Sequence, residues 1–146
     1  MFKKDEYALP IQRLIDAVDK NTAVNFAILC AERVLPLYET QFSEEKRVAD
    51  GIAAAYQYLN NTIGVSQARK AAFASHSAAR LAEKGSAARA AARCCGHTAA
   101  TAHCKEHAIA AAAYAAIAIE IAEGSEGKLK EREMQHNTLL NLAERK

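Results

Sequence analysis

The chain has 146 residues, which is enough for one domain with a buried core. Charged residues make up 25% of it, as in a folded soluble chain, and a formal net charge of +2 gives no wholesale attraction to nucleic acid or to an anionic membrane. Hydrophobic residues account for 51%, but so many are alanine that the core must consist of closely spaced helices rather than stacked large side chains.

The opening, Met1-Phe2-Lys3-Lys4-Asp5-Glu6, has charges with no apolar run behind them, so no signal peptide is expected. Apolar residues then recur at helical spacing throughout, and no run alternates as a strand would. Ile11, Leu14, Ile15 and Val18 make a short first helix with Pro10 in its first turn. Thr22 is placed to cap a second helix carrying Val24, Ala27, Ile28, Ala31 and Leu35. Pro36 should kink that helix or restart it. Ser43, followed by Glu44 and Glu45, reads as the cap of a third helix with Val48, Ile52, Ala55, Tyr56 and Leu59.

Residues 66 to 84 read as a fourth helix ending at Gly85, and Ser86 caps the next. From there the helical signal runs to Gly124, too long for one helix, so a break is expected near His103 to Glu106. Gly124-Ser125-Glu126-Gly127 reads as a turn, and the last helix spans roughly 127–145. The expected fold is all-α, a single domain over residues 1–146. It is a bundle of six to seven mostly antiparallel helices around an alanine-rich, closely packed core. The stretch between Ala68 and Ala122 alone holds 24 alanines. Its longest uncharged run, Ala108 to Ile119, is only 12 residues, too short for a membrane span. Lysines and arginines are spread out with acids among them, which argues against a nucleic-acid stripe.

Polar residues set into the alanine are the candidates for chemistry. They lie in the string Cys94-Cys95-Gly96-His97-Thr98-Ala99-Ala100-Thr101-Ala102-His103-Cys104-Lys105-Glu106-His107. On one continuous helical wheel His97 shares a face with Cys94 and Cys104, while His103 and His107 form an i, i+4 pair on another. Such a pair can hold a metal, with a third ligand such as His76 from a neighbouring helix. Otherwise the histidines are packed polar groups and the cysteines small core fillers. Cys94 and Cys95, adjacent on a helix, are poorly placed for a mutual disulfide, and all four cysteines are expected reduced. Arg69, Phe73, His76, Arg80 and Glu83 share a face of the fourth helix. Its arginines either hold an anion or, as Arg80 with Glu83, pair along the helix. Gly96, mid-helix, implies a close neighbour. No phosphate loop, no Gly-x-Ser-x-Gly elbow, no Cys-x-x-Cys and no Glu-x-x-His spacing occurs.

Several segments resemble a known family. They are Cys30-Ala-Glu-Arg-Val-Leu-Pro-Leu-Tyr-Glu39, Ala72-Phe-Ala-Ser-His-Ser-Ala-Ala-Arg80, Ala90-Ala-Ala-Arg-Cys-Cys-Gly-His-Thr-Ala-Ala-Thr-Ala-His103, His107-Ala108 and Tyr114-Ala115. Together, over roughly residues 23–120, they resemble the bacterial immunity-protein-five-like family, described as immunity proteins of polymorphic toxin systems. Gly-His-x-Ala-Ala-Thr-Ala-His is the most specific string. Cys94-Cys95 is a departure, where smaller residues are expected. The resemblance implies an all-α fold and no enzymatic activity and carries over no catalytic residue; no cofactor is expected. His76, Arg80, Gly96, His97 and His103 are the positions matching its pattern.

Two functions follow. The first is a non-catalytic cytoplasmic protein that neutralises a toxin by binding it. Its expected anchors are Arg33, Tyr38, Tyr56 and Tyr58, outside the alanine core. The alternative is a helical metal- or small-ligand-binding protein, or an enzyme, using His76, His97, His103 and His107. Exposed apolar residues on the last helix would make it a homodimer.

Overall fold

A computed structural model of the chain describes residues 5–145; the opening Met1 to Lys4 and the final Lys146 lie outside them. Among the described residues there are seven helices and no strand. They are α1 (Ala8–Ala17), α2 (Lys20–Glu39), α3 (Arg47–Leu59), α4 (Val65–Ala79), α5 (Ala87–Ala100), α6 (His107–Glu123) and α7 (Ser125–Glu144). The fold is an all-α single-domain bundle. None of the helices is long and apolar enough to cross a membrane.

Helix α5 is the axis of the bundle, packed against α2, α3, α4 and α6. Its composition allows this, because Ala88, Ala91, Ala92, Cys94, Cys95 and Ala99 are completely buried and none carries more than two side-chain heavy atoms. The Thr98 hydroxyl ties α5 to α2, donating to the carbonyls of Cys94 (2.9 Å) and Ala27 (3.3 Å). The Ser75 hydroxyl ties α4 to α5 through the Ala92 carbonyl (3.0 Å). These two helices run antiparallel, since Ser75 meets Ala92 while Ala72 clusters with Ala99 and Ala100. The bulk missing from α5 and α6 is supplied from outside, by Ile11, Ile15, Val24, Phe26, Ile28, Val34 and Leu139. Cys94 and Cys95 sit in this core as small buried fillers, and all four cysteines are free.

Several helix ends differ from the sequence expectation. Asp19, not Thr22, caps α2, its carboxylate accepting from the Thr22 amide at 2.8 Å. Helix α2 runs through Pro36 to Glu39; near a helix end the proline forgoes a single backbone bond. Helix α3 starts at Arg47 rather than after Ser43. Glu45 folds onto Arg47 instead, accepting from its amide at 3.1 Å and from its guanidinium at 2.8 Å. Helix α4 stops at Ala79, short of Gly85, where Arg80, Leu81 and Ala82 tighten into three-residue turns. Ser86 caps α5 as expected, accepting from the Arg89 amide. The break after α5 falls at residues 101–106. Lys105 in that break donates to the Asp16 and Val18 carbonyls (2.8 and 2.9 Å), closing the end of α1. Only Gly124, at φ +89°, separates α6 from α7, so the expected four-residue turn is mostly helix.

A buried polar network on α7 had no sequence signal. Arg33 grips Glu131 with two parallel hydrogen bonds of 2.8 Å. Gln135 donates to Glu131 (2.8 Å) and to the Ala112 carbonyl (3.0 Å), and it accepts from Arg132 (2.9 Å). Arg132 reaches Asp5 at 3.0 Å. Every polar atom is satisfied, so the network fixes α7 against α2 and α6 without leaving a buried charge alone.

Candidate functional site

The break after α5 brings together histidines that a continuous wheel keeps apart. Helix α6 folds back so that His107 Nδ1 lies 2.9 Å from His97 Nδ1. One of the two must carry its proton there, because a hydrogen bond needs one donor. The His76 ring from α4 meets His97 edge-on at 4.9 Å, and Tyr114 of α6 stacks on His97 at 5.4 Å. Arg93 donates to His76 Nδ1 at 2.9 Å, which places the proton of neutral His76 on Nε2. Gly96 makes room for this cluster. A Cβ there would lie 2.7 Å from Cε1 and Nε2 of His76. Gly51 performs a similar service one helix away, where a Cβ would lie 2.9 Å from the Cys95 carbonyl oxygen. The sequence marked Gly96 but not Gly51.

Burial, and then the charge of Arg93, hold the His76 imidazole down to about 4. Burial, and then His76, hold His97 down to about 4. His107 is lowered by burial and by His103. The cluster is therefore neutral at physiological pH, in contact with the cation Arg93. His103 stays outside the ring contacts, exposed in the turn. It joins Arg69, Ala72, Phe73, His76, Ala100 and His107 around a cleft of about 310 Å³. A more open hollow of about 360 Å³ is lined by residues 41–45, with no histidine or cysteine in it.

The wheel expectation for the thiols is corrected. Cys94 is sealed in the core and Cys104 turns to Glu106, with its sulfur 2.8 Å from the carboxylate, so neither flanks His97 as an activated thiol. Burial pushes Cys30 and Cys95 up to about 12 and Cys94 well above its ordinary value. The bond to Glu106 raises Cys104 as well. A thiol held protonated is a poor nucleophile. Of the four histidines of the alternative reading, His76, His97 and His107 meet and His103 stands apart. Among the described residues no three His, Cys, Asp or Glu side chains are grouped to hold a metal ion.

The expected binding anchors divide. Tyr38 is corrected outright: it is completely buried, stacked on Phe42, and its hydroxyl donates to the Ala78 carbonyl at 2.9 Å. Arg33 is half-buried with its guanidinium committed to Glu131. Tyr58 is half-buried beneath the Lys20 ammonium, 5.5 Å from its ring centre. Tyr56 alone of the four stands exposed, at 43%, with its hydroxyl bonded to Glu32.

The even spread of basic residues is also corrected. Between Asp50 and Glu106 the only acid is Glu83, set against Arg69, Lys70, Arg80, Lys84, Arg89, Arg93 and Lys105. The expected Arg80–Glu83 pair does not form, because α4 has ended and Arg80 donates to Ser77 instead.

The whole chain can now be compared with known proteins. No curated protein and no solved structure matches it. A family model does, over residues 13–142, wider at both ends than the 23–120 region of resemblance. That stretch runs from α1 to α7 and includes every histidine of the cluster. The chain belongs to the family of Imm-5 like putative immunity proteins.

Proposed function

We propose that this protein is a cytoplasmic immunity protein that neutralises a toxin by binding it and catalyses nothing. The observation that carries the reading is the family match, which spans nearly the whole fold. The geometry is consistent with it. The thiols are protonated, and the clustered histidines are bonded to one another and to Arg93 rather than aligned with a nucleophile or a carboxylate. A binder needs only a complementary surface held rigid, and the satisfied network of α7 with the alanine seam of α5 supplies the rigidity. In this reading the exposed Leu129 and Met134 of α7 would be the seat of a homodimer.

The test is co-expression with the toxin encoded beside the gene, followed by purification of the pair. The expected outcome is restored growth and a stoichiometric complex in which the toxin remains chemically intact. Growth rescue by catalytic amounts of the protein, or a toxin left covalently altered after the protein is removed, would show an enzyme. Elemental analysis of untagged protein adds an independent check, and one equivalent of tightly held zinc would favour the metal reading.

A further inference from the structure

The family names a kind of partner but no surface for it. The α4–α5–α6 face has three features that coincide nowhere else among the described residues.

First, it is basic and its charges are unanswered. Arg69, Arg80, Arg89 and Arg93 lie on α4, its last turn and α5, and none of the four is within ion-pair distance of a carboxylate, whereas Arg33, Arg47 and Arg132 all are. Arg80 and Arg89 both act on Arg93. Burial and then the charges of Arg89 and Arg80 pull Arg93 below its ordinary value. Like charges held this close in the free protein are relieved when an anion arrives.

Second, an apolar anchor stands beside the charges. Phe73 is 64% exposed, the most exposed large hydrophobic side chain among the described residues, and the Arg69 guanidinium lies 5.9 Å from its ring centre. Ile117 and Ile121 follow Tyr114 at helical spacing on α6 and are 41% and 48% exposed, so the face has an apolar border. Aromatic and arginine side chains are the usual centres of binding energy in protein interfaces.

Third, the face is concave. Arg69, Phe73, His76, Ala100, His103 and His107 enclose the 310 Å³ cleft. His76 and His107 in its lining are held toward the neutral form by burial, and a neutral imidazole can donate a hydrogen bond without demanding a counter-ion.

We propose that this face docks an acidic segment of a partner protein, with a glutamate or aspartate side chain entering the cleft beside Arg69 and an apolar neighbour covering Phe73. The proposal rests on the immunity reading for the identity of the partner. A protein is favoured over a nucleic acid by the family to which the chain belongs and by the exposed aromatic ring beside the charges.

The experiment measures Kd for the purified, catalytically inactivated toxin by calorimetry, with two triple variants of equal charge change. One is Arg69→Glu/Arg80→Glu/Arg89→Glu on the face. The other is Arg13→Glu/Lys130→Glu/Arg145→Glu, three exposed positions off it. Circular dichroism checks the fold of each. The face variant is expected to bind at least a hundredfold more weakly and the control within threefold of wild type. Should the face variant fail to fold, Arg69→Gln/Arg80→Gln/Arg89→Gln removes charge without reversing it and is expected to lose at least tenfold. Equal losses in both triples, or none in either, would overturn the proposal while leaving the immunity function standing. A wild-type protein that does not bind the toxin at all would remove the function itself. In a parallel arm, saturable binding of a 20-base-pair DNA duplex or of single-stranded RNA at physiological salt, abolished by the face variant, would assign the face to nucleic acid instead.

Discussion

At position 96 a methyl group has nowhere to go unless the His76 ring moves, and that ring is held by Arg93 and abuts His97. Alanine is worth about 1 kcal/mol over glycine inside a helix. Forcing an atom into a filled site costs about 1–3 kcal/mol. Gly96→Ala is therefore expected to lose about 1 kcal/mol net in urea denaturation, and His76→Ala added to it should recover part of the loss. Gly51→Ala meets a backbone carbonyl, which cannot swing aside, so its loss should be the larger of the two. A Gly96→Ala protein more stable than wild type would mean that the ring yields freely. The histidines also set the response to acid. Their folded values near 4 lie below the unfolded value near 6.5, so the unfolded chain binds more protons in that window and stability drops as pH falls through it. Lowered carboxylates such as Glu45, at about 2, and Asp5 add their losses only at lower pH, below the ordinary carboxylate range. Thermal melts between pH 7 and pH 4.5 should show a falling Tm, and His76→Gln/His97→Gln should flatten that slope. An unchanged slope in the double variant would locate the acid sensitivity elsewhere.

Helices α5 and α6 show what alanine does for an element. Ala112 is completely buried where Gln135 reaches its carbonyl, so Ala112→Leu should overpack the α6–α7 contact by about 1–3 kcal/mol, read as a lowered urea midpoint. Ala100 borders the open cleft, so Ala100→Leu should cost less and fill the cleft instead. The helices themselves were legible because alanine, leucine and isoleucine recur at 3.6 spacing and because Ser86 and Gly124 punctuate them. Their ends were less so. Asp19 outbid Thr22 as a cap, and Glu45 bound Arg47 rather than leaving Ser43 to open α3. Both are side-chain choices among neighbours that periodicity does not rank. The histidine cluster was half legible. His76, His97 and Gly96 were marked, but their meeting with His107 depends on α6 reversing after residues 101–106, and a wheel drawn as one helix separates them. The Arg33–Glu131–Gln135 network was not legible at all, because its two charges stand 98 positions apart in the chain. Tyr38 misled for the opposite reason, since a tyrosine beside charged residues looks like surface until Ala78 is seen to accept its hydroxyl.

Across the whole molecule, stability and recognition are divided between helices. Large apolar side chains from α1, α2 and α7 close the core, and α4 and α5 contribute mostly alanine inward. Freed from supplying bulk, α4 and α5 carry guanidinium and imidazole groups outward. The acids lie almost entirely before residue 51 and after residue 105. Residues 51–105 hold seven bases and one acid, a net +6, and the rest of the chain a net −4, an asymmetry that the overall +2 conceals. At low ionic strength the basic face of one copy is expected to attract the net acidic remainder of another, in a contact that has no reason to close into a ring and so extends into open chains. At physiological ionic strength the field dies within about 8 Å and the attraction is gone. Solutions of this protein should therefore be clear in salt and turbid on desalting, the reverse of what its hydrophobic content alone would suggest.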